Sequence, residues 1–278
     1  MASEQNLTLK SFDGLDLVGK SWPVQSPKAA VLILHGMGEH VLRFDHVAAF
    51  FNMNQIAAIG FDHRGHGQSG GKRGHMPALE AIFKDIDMGL AEAAKQFPGS
   101  PIFIYGHSLG GNLALSYTLN RKPAIRGTIA SAPWIQLAFS PPALKVKIGI
   151  FLAKLFPGVL QNNELDVNFL SRDTEVVEKY VADPLVHDRI SLSMATGMLQ
   201  QGDYLHNWKG KFPVPLLLLH GTADQITSAN ATEAFYQRNR QENDMQLKLY
   251  RDFYHEIHNE PQRSTEFHDI LNWIEAHI

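Results

Sequence analysis

One serine in this chain lies between two glycines, at the junction of a predicted strand and a predicted helix. Residues 102–105 form an apolar run with β-branched and aromatic side chains, which is typical of a buried strand. Ser108 follows, flanked by Gly106 and Gly110, and residues 112–119 carry apolar positions at helical spacing. Strand, sharp turn and helix form the context in which Gly-x-Ser-x-Gly exposes a nucleophilic serine. The pattern predicts that Ser108 attacks a carbonyl carbon; the structural alternative is a glycine-rich turn with an incidental serine.

A serine hydroxyl needs a general base, and the base needs an acid that fixes its tautomer and stabilises its cation. Asp224 follows the predicted strand at 214–219, and His255 follows the predicted strand at 245–250. The carboxyl ends of parallel strands meet at one edge of a sheet, where such folds place their sites. The order Ser, Asp, His, each just beyond a strand, therefore predicts a catalytic triad of Ser108, Asp224 and His255.

Two neighbouring residues compete for the roles of acid and base. Asp252 competes with Asp224, and His258 competes with His255. Aspartate is also common in turns for purely structural reasons. His255 is favoured because it is nearer the strand end, whereas His258 is expected to begin a helical turn.

Acyl transfer also needs two backbone N–H groups that stabilise the oxyanion. The residue after the nucleophile supplies one of them, and a loop near the first central strand supplies the other. The glycines at 36 and 38 let the backbone approach a substrate closely. We therefore expect the oxyanion hole to consist of the N–H groups of Met37 and Leu109.

The elements that must position these residues alternate between buried strands and amphipathic helices, which predicts a mostly parallel sheet with helices on both faces. Asp13-Gly14 between two strand-like runs adds a hairpin. The predicted strands are residues 29–34, 56–61, 102–105, 127–132, 214–219 and 245–250, and the predicted helices are residues 44–53, 79–97, 112–119, 144–156, 191–199, 229–238 and 263–277. No clear strand is predicted between residues 134 and 208. We therefore expect a core of residues 1–133 and 209–278 and an inserted helical cap of residues 134–208.

Composition excludes several classes of protein. The chain has 278 residues, of which 44% are hydrophobic and 19% charged, as in ordinary globular proteins. A net charge of −3 gives no sign of a nucleic-acid partner. The absence of cysteine excludes disulfides, cysteine catalysis and thiolate metal sites. The N-terminus is polar, and no apolar run reaches the roughly 18 residues of a membrane span, so we expect a cytoplasmic protein without a signal peptide.

Five stretches together resemble the monoacylglycerol lipase family of α/β-hydrolases, which is related to bacterial lysophospholipases. They are His35-Gly36-Met37-Gly38-Glu39-His40, Asp62-His63-Arg64-Gly65-His66-Gly67-Gln68-Ser69, Gly106-His107-Ser108-Leu109-Gly110-Gly111, His220-Gly221-Thr222-Ala223-Asp224 and Tyr254-His255-Glu256. The resemblance implies an α/β-hydrolase fold with an inserted cap. It also implies hydrolysis of a monoacylglycerol to glycerol and fatty acid through an acyl-serine, without a metal or other cofactor.

The resemblance further implies that Glu39, Arg43 and His258 hold the glycerol head group. The structural alternative is that Arg43 and Glu39 pair with each other. Members of the family often have Met where this chain has Leu109, which should matter little because the backbone N–H does the work. The cluster at 62–64 is expected to be a loop scaffold rather than a metal or acid/base site.

The alternative functions are a lysophospholipase or a broad-specificity carboxylesterase and, from a different class, a ligand-binding protein that kept the fold without turnover. The cap helix at 144–156 is apolar and carries Lys145, Lys147 and Lys154. This composition favours a lid in transient contact with a lipid surface, peripheral to the membrane; the alternative is a helix packed on the core. The sequence carries no signal for an oligomeric state.

Overall fold

An eight-stranded sheet runs through the computed structural model, which describes residues 4–278. The strands are β1 (Gln5–Lys10), β2 (Asp16–Trp22), β3 (Ala29–Leu34), β4 (Ile56–Phe61), β5 (Ile102–His107), β6 (Gly127–Ser131), β9 (Leu216–Gly221) and β10 (Met245–Tyr250). Their order is β1-β2-β4-β3-β5-β6-β9-β10. The last six strands in that order are parallel, and β2 pairs antiparallel both with β4 and with β1, its partner in the hairpin. The predicted hairpin and parallel sheet are confirmed.

Helices cover both faces of this sheet, and further helices form the segment between β6 and β9. They are α1 (Asp45–Met53), α2 (Leu79–Gln96), α3 (Leu109–Arg121), α4 (Ala143–Leu155), α5 (Thr174–Ala182), α6 (Leu192–Asn207), α7 (Ala229–Asn239) and α8 (Ser264–Ala276). Strand β3 shows why its sequence is apolar throughout. Val31 and Ile33 belong to the core that contains α1 and α8, whereas Leu32 and Leu34 belong to the core that contains α2 and α3. A central strand buried on both faces has no polar face.

The segment between β6 and β9 differs partly from its prediction. It contains α4, α5 and α6 and also a two-stranded antiparallel sheet of β7 (Leu160–Asn162) and β8 (Arg189–Ser191). The prediction that this segment lacks strands is wrong, because strands of three residues that pair only with each other leave no apolar run in the sequence. Helix α5 was not predicted, and α6 continues to Asn207, beyond the predicted end at 199. The boundaries at 133/134 and 208/209 stay a prediction, and residues 1–3 of the predicted core lie outside the described residues.

The cap segment (residues 134–208) is attached to the core unevenly. Near β8, the N–H of Ser191 donates to the carbonyl of Gly74 and the N–H of His187 donates to the carbonyl of Gly38. Helix α4, in contrast, has no buried side chain and packs against α6. No helix within residues 4–278 combines the length and apolar character needed to cross a membrane. The cap segment therefore has a part bonded to the core and an exposed apolar helix.

Candidate active site

Ser108 stands on a strained turn between β5 and α3. Its backbone angles are φ 55° and ψ −114°, a region that residues other than glycine rarely adopt. A Cβ at Gly106 would lie 2.1 Å from the carbonyl oxygen of Gly110, and a Cβ at Gly110 would lie 2.0 Å from the carbonyl oxygen of Leu34. Both positions therefore exclude any side chain, as the Gly-x-Ser-x-Gly spacing requires. The N–H of Ser108 donates to the carbonyl of Ser131 at 2.9 Å, which ties the turn to β6.

The structure brings Ser108, His255 and Asp224 together across 147 and 31 residues of sequence. Nε2 of His255 lies 2.9 Å from Oγ of Ser108, and Nδ1 of His255 lies 2.8 Å from Oδ2 of Asp224. The Oδ1 atom of Asp224 accepts the N–H groups of Ile226 at 2.7 Å and Thr227 at 3.0 Å. The carboxylate is thus fixed in the loop after β9, and it points at the imidazole that faces the serine.

The electrostatics of this chain of hydrogen bonds keep a negative charge behind the imidazole. Burial raises the pKa of Asp224, but the charge of His255 and the hydrogen bonds from His220 and His255 outweigh burial and lower that pKa strongly. Burial alone lowers the pKa of His255, whereas the adjacent Asp224 carboxylate reverses this and raises the pKa. The arrangement therefore favours an imidazole that can accept a proton while Asp224 stays ionised.

The two residues that compete for these roles lie elsewhere. Asp252 is exposed on the surface with φ 63°, next to Arg251. His258 is fully buried at 0% exposure and stacks on the ring of Phe44 at 4.7 Å between centroids. His258 does not line the cavity beside Ser108. The structure therefore does not bring His258 to the place where the resemblance puts a glycerol head group.

Two backbone N–H groups near Ser108 are available to a ligand. Met37 follows the end of β3, and Leu109 is the first residue of α3. Within residues 4–278, neither N–H donates a hydrogen bond. The N-terminus of α3 adds the positive end of its dipole beside Ser108. Gly38 has φ 75°, and a Cβ there would lie 2.4 Å from the carbonyl oxygen of His187, so the loop that carries Met37 is pressed against the cap segment.

A cavity of about 20 Å³ lies directly beside Ser108, which is room for roughly one water molecule. Core loops and the cap segment both contribute to its wall. The lining residues are Gly36, Met37, Glu39, His107, Ser108, Leu165, Leu170, Tyr180, His255 and Glu256. The cap segment therefore covers the serine in this conformation.

Arg43 lies between two buried carboxylates next to this cavity. Its guanidinium donates to Oε2 of Glu39 and, with two nitrogens, to the carboxylate of Glu256 at 2.6 and 2.8 Å. The guanidinium also lies 4.7 Å from the ring centroid of Tyr180. Burial raises the pKa of Glu256, but Arg43 outweighs burial and lowers that pKa to about 2. The expected alternative, a pair of Arg43 with Glu39, is present, and Glu256 is a second partner of Arg43.

The cluster at 62–64 has the contacts of a scaffold. The Asp62 carboxylate accepts the N–H groups of Val41 at 2.8 Å and Gln68 at 2.7 Å, and Arg64 binds the carboxylate of Asp85. These bonds hold the loop after β4 against its neighbours. In the part of the chain that the structure describes, no three His, Asp or Glu side chains are arranged to hold a metal ion.

Sequence reasoning assigned no role to three residues of the site: His220, Thr227 and Glu256. His220 precedes Asp224 by four residues, and its Nε2 lies 3.1 Å from Oδ2 of Asp224. The Thr227 hydroxyl lies 2.8 Å from the same oxygen. The spacing of His220 and Asp224 around one turn could have indicated their contact. Glu256 meets Arg43 across 213 residues, and no local pattern signals that pair.

The chain is similar to proteins of known family over most of its length. The sequence profile of the family described as "Serine aminopeptidase, S33" matches residues 25–262. An uncharacterized abhydrolase domain-containing protein of Dictyostelium discoideum is 40% identical over 281 residues, and the chain spans only 29% of the length of that protein. A monoacylglycerol lipase of Mycolicibacterium smegmatis is 32% identical, with 95% of each chain covered.

A solved structure is similar throughout. The crystal structure of the Paleococcus ferrophilus monoacylglycerol lipase superposes with a TM-score of 0.85 at 32% identity, covering 94% of this chain and 99% of that one. The predicted α/β-hydrolase fold with an inserted cap is thereby confirmed.

Proposed function

We propose that this chain, which belongs to the family described as serine aminopeptidase S33 and is similar to monoacylglycerol lipases, hydrolyses monoacylglycerols to glycerol and a fatty acid. The observation that supports this most directly is the pair of contacts of His255, 2.9 Å to Oγ of Ser108 and 2.8 Å to the carboxylate of Asp224. These distances are those of a nucleophile, a general base and an orienting acid.

The reaction proceeds in two steps around Ser108. Oγ of Ser108 attacks the ester carbonyl while its proton passes to Nε2 of His255, and Asp224 stabilises the imidazolium. The N–H groups of Met37 and Leu109 bind the oxyanion of the tetrahedral intermediate. His255 then returns the proton to the leaving glycerol oxygen, and the C–O bond breaks to leave an acyl-serine. A water molecule, deprotonated by His255, repeats the sequence and releases the fatty acid.

Glu39 and Arg43 recognise the glycerol head group. Glu39 lines the cavity beside Ser108, and its Oε1 already accepts the N–H of Gly36 at 2.6 Å. Its carboxylate can also accept a hydrogen bond from a glycerol hydroxyl, while the bond from Arg43 holds it in place. His258 is left out of this role because its ring is fully buried.

Helix α4 contacts the lipid surface from which the substrate comes. Leu144, Ile148, Phe151 and Leu155 recur at steps of four, three and four residues, so they form one stripe along the helix. Each of these four side chains is 49–71% exposed. Lys145 lies on one side of the stripe, and Lys147 and Lys154 lie on the other. An apolar stripe flanked by lysines is the pattern of a helix that lies in a membrane interface.

The substrate is tested with a series of monoacylglycerols of increasing chain length, alongside di- and triacylglycerols and lysophosphatidylcholine. We expect the highest kcat/KM on monoacylglycerols. The Ser108→Ala variant should hydrolyse none of these substrates. Faster turnover of lysophosphatidylcholine than of monoacylglycerols would identify a lysophospholipase. Equal turnover of all these esters would identify a broad carboxylesterase. A chain that hydrolyses none of them and resists fluorophosphonate labelling would be a binding protein.

The lipid contact is tested with the double variant Ile148→Ser and Phe151→Ser in co-sedimentation with liposomes. Binding to liposomes should fall, whereas hydrolysis of soluble p-nitrophenyl butyrate should be retained because α4 has no buried side chain. Met53→Ser is the matched control, since Met53 is 75% exposed on α1 and lies outside the cap segment. Unchanged liposome binding by the double variant would contradict the proposal for α4.

A further inference from the structure

The carboxylate of Asp224 is shared by two imidazoles rather than one. Besides Nδ1 of His255, Oδ2 faces Nε2 of His220 at 3.1 Å. His220 is fully buried near the end of β9. The contacts run from Ser108 through His255 to Asp224 and then to His220. This second imidazole belongs to none of the roles described above.

The hydrogen-bond partners of His220 fix its tautomer. Nε2 faces two acceptors, Oδ2 of Asp224 at 3.1 Å and the carbonyl oxygen of Thr227 at 3.3 Å, so this nitrogen carries the hydrogen. Nδ1 lies 2.9 Å from the hydroxyl of Thr232 on α7, which therefore donates to it. The imidazole of His220 is thus held with its Nε2–H aimed at Asp224.

We propose that His220 is a positioning residue for the hydrolytic reaction: its Nε2–H holds Oδ2 of Asp224 in line with His255 and draws part of the negative charge away from His255. This inference rests on the proposed function, because it assumes that His255 is the base. A carboxylate with fewer donors would bind the proton of the His255 imidazolium more strongly. The imidazolium would then return its proton less readily to the leaving group.

Loss of the His220 donor should shift the titration of His255 in one direction. Without the His220 donor, Oδ2 of Asp224 keeps only the Thr227 hydroxyl beside His255, so more of its negative charge acts on His255 and the pKa of His255 rises. The other titratable groups around His255 are the imidazoles of His107, with ring centroids 4.8 Å apart, and His258, and the carboxylates of Glu256 and Glu39. None of these changes when His220 is replaced, so the shift reports the bond to Asp224.

The experiment compares His220→Met, which removes the donor, with His220→Gln, whose amide N–H can replace it. The titration of His255 is followed by NMR in the full chain labelled with 15N-histidine, and kcat/KM is measured on p-nitrophenyl butyrate across pH. One hydrogen bond to a charged group corresponds to about one pH unit and about a tenfold effect on rate. We expect the His255 midpoint to rise by about one unit and kcat/KM at pH 7 to fall about tenfold in His220→Met, with both restored towards wild type in His220→Gln.

A change of stability alone would overturn the proposal. If His220→Met melts at a lower temperature but leaves the His255 midpoint in place, or if both variants shift it equally, the N–H of His220 does not act on Asp224. Should His220→Met fail to fold, Thr232→Val removes only the hydroxyl that fixes Nδ1, and it should shift the midpoint in the same direction. Thr118→Val is the matched control, because Thr118 loses an equivalent buried bond, to Thr128 at 2.9 Å. The NMR titration needs no turnover, so it decides the role of His220 even if the wild type hydrolyses no ester.

Discussion

Replacing Arg43 with Met would leave two carboxylates buried without their cation. Glu39 and Glu256 are 2% and 1% exposed, and both bind the same guanidinium. Removing one member of a buried ion pair typically costs about 3–5 kcal/mol. Arg43 lowers the pKa of Glu256 to about 2 in the folded chain although burial raises it, which is the direction that a stabilising ion pair gives.

The free energy of unfolding that is lost in Arg43→Met should depend on pH. In the wild type, the pKa of Glu256 is lowered, so its contribution is complete above the unfolded value near 4.3 and is lost as the pH falls towards 2. In the variant, burial without Arg43 raises the pKa of a carboxylate above its unfolded value, so the stability of the variant falls as the pH rises. The difference between wild type and variant should therefore be larger at pH 8 than at pH 5.

The assay is urea denaturation followed by circular dichroism at pH 5, 6.5 and 8. The matched control is Arg121→Met, whose ion pair with Glu80 is exposed and should change the free energy of unfolding little. Adding Glu39→Gln and Glu256→Gln to Arg43→Met should recover part of the loss, because the uncompensated charges disappear. A loss equal to that of the control, or independent of pH, would refute the account of this cluster as a buried charge network.

Two further predictions concern the turn that carries Ser108 and the buried core. Gly110→Ala should lower the free energy of unfolding by about 1–3 kcal/mol and reduce kcat, because its Cβ would lie 2.0 Å from the backbone oxygen of Leu34; Gly197→Ala is the control, since a Cβ there meets nothing within 4 Å. Equal stability of the two variants in urea would contradict this. Burial raises the pKa of Glu266 to about 8, so the folded chain keeps a proton that the unfolded chain releases above its ordinary value. Stability should therefore fall between about pH 4.3 and 8, by up to about 1.4 kcal/mol per unit, and Glu266→Gln should remove that slope in urea titrations; an unchanged slope would show that Glu266 is not the titrating group.

The sequence predicted the central sheet well because each central parallel strand is covered on both faces and must be apolar throughout. The runs at 29–34 and 56–61 coincide with β3 and β4 residue for residue. The positions of Ser108, Asp224 and His255 followed from the same cause, since each comes just beyond a strand and parallel strands end at one edge.

The parts of the fold and of the site that the sequence did not predict depend on contacts between distant residues. Strands β7 and β8 exist because they pair across about thirty residues and are bonded to the core, and neither has a pattern of its own. Burial of His258 behind the cavity depends on Phe44, which is more than two hundred residues away. The choice of partner for Arg43 likewise appears only when the loops after β3 and β10 meet. Local periodicity cannot report such pairings.

Helix α4 also has a consequence for how this chain can change during evolution. None of its side chains is buried, so substitutions along α4 should change the free energy of unfolding little. Substitutions on β3 or α3, whose side chains are buried, should lower it. Selection can therefore alter the surface of α4 while the turn around Ser108 and its hydrogen bonds stay fixed. The fold separates the residues that the chemistry requires from a helix surface that is free to vary.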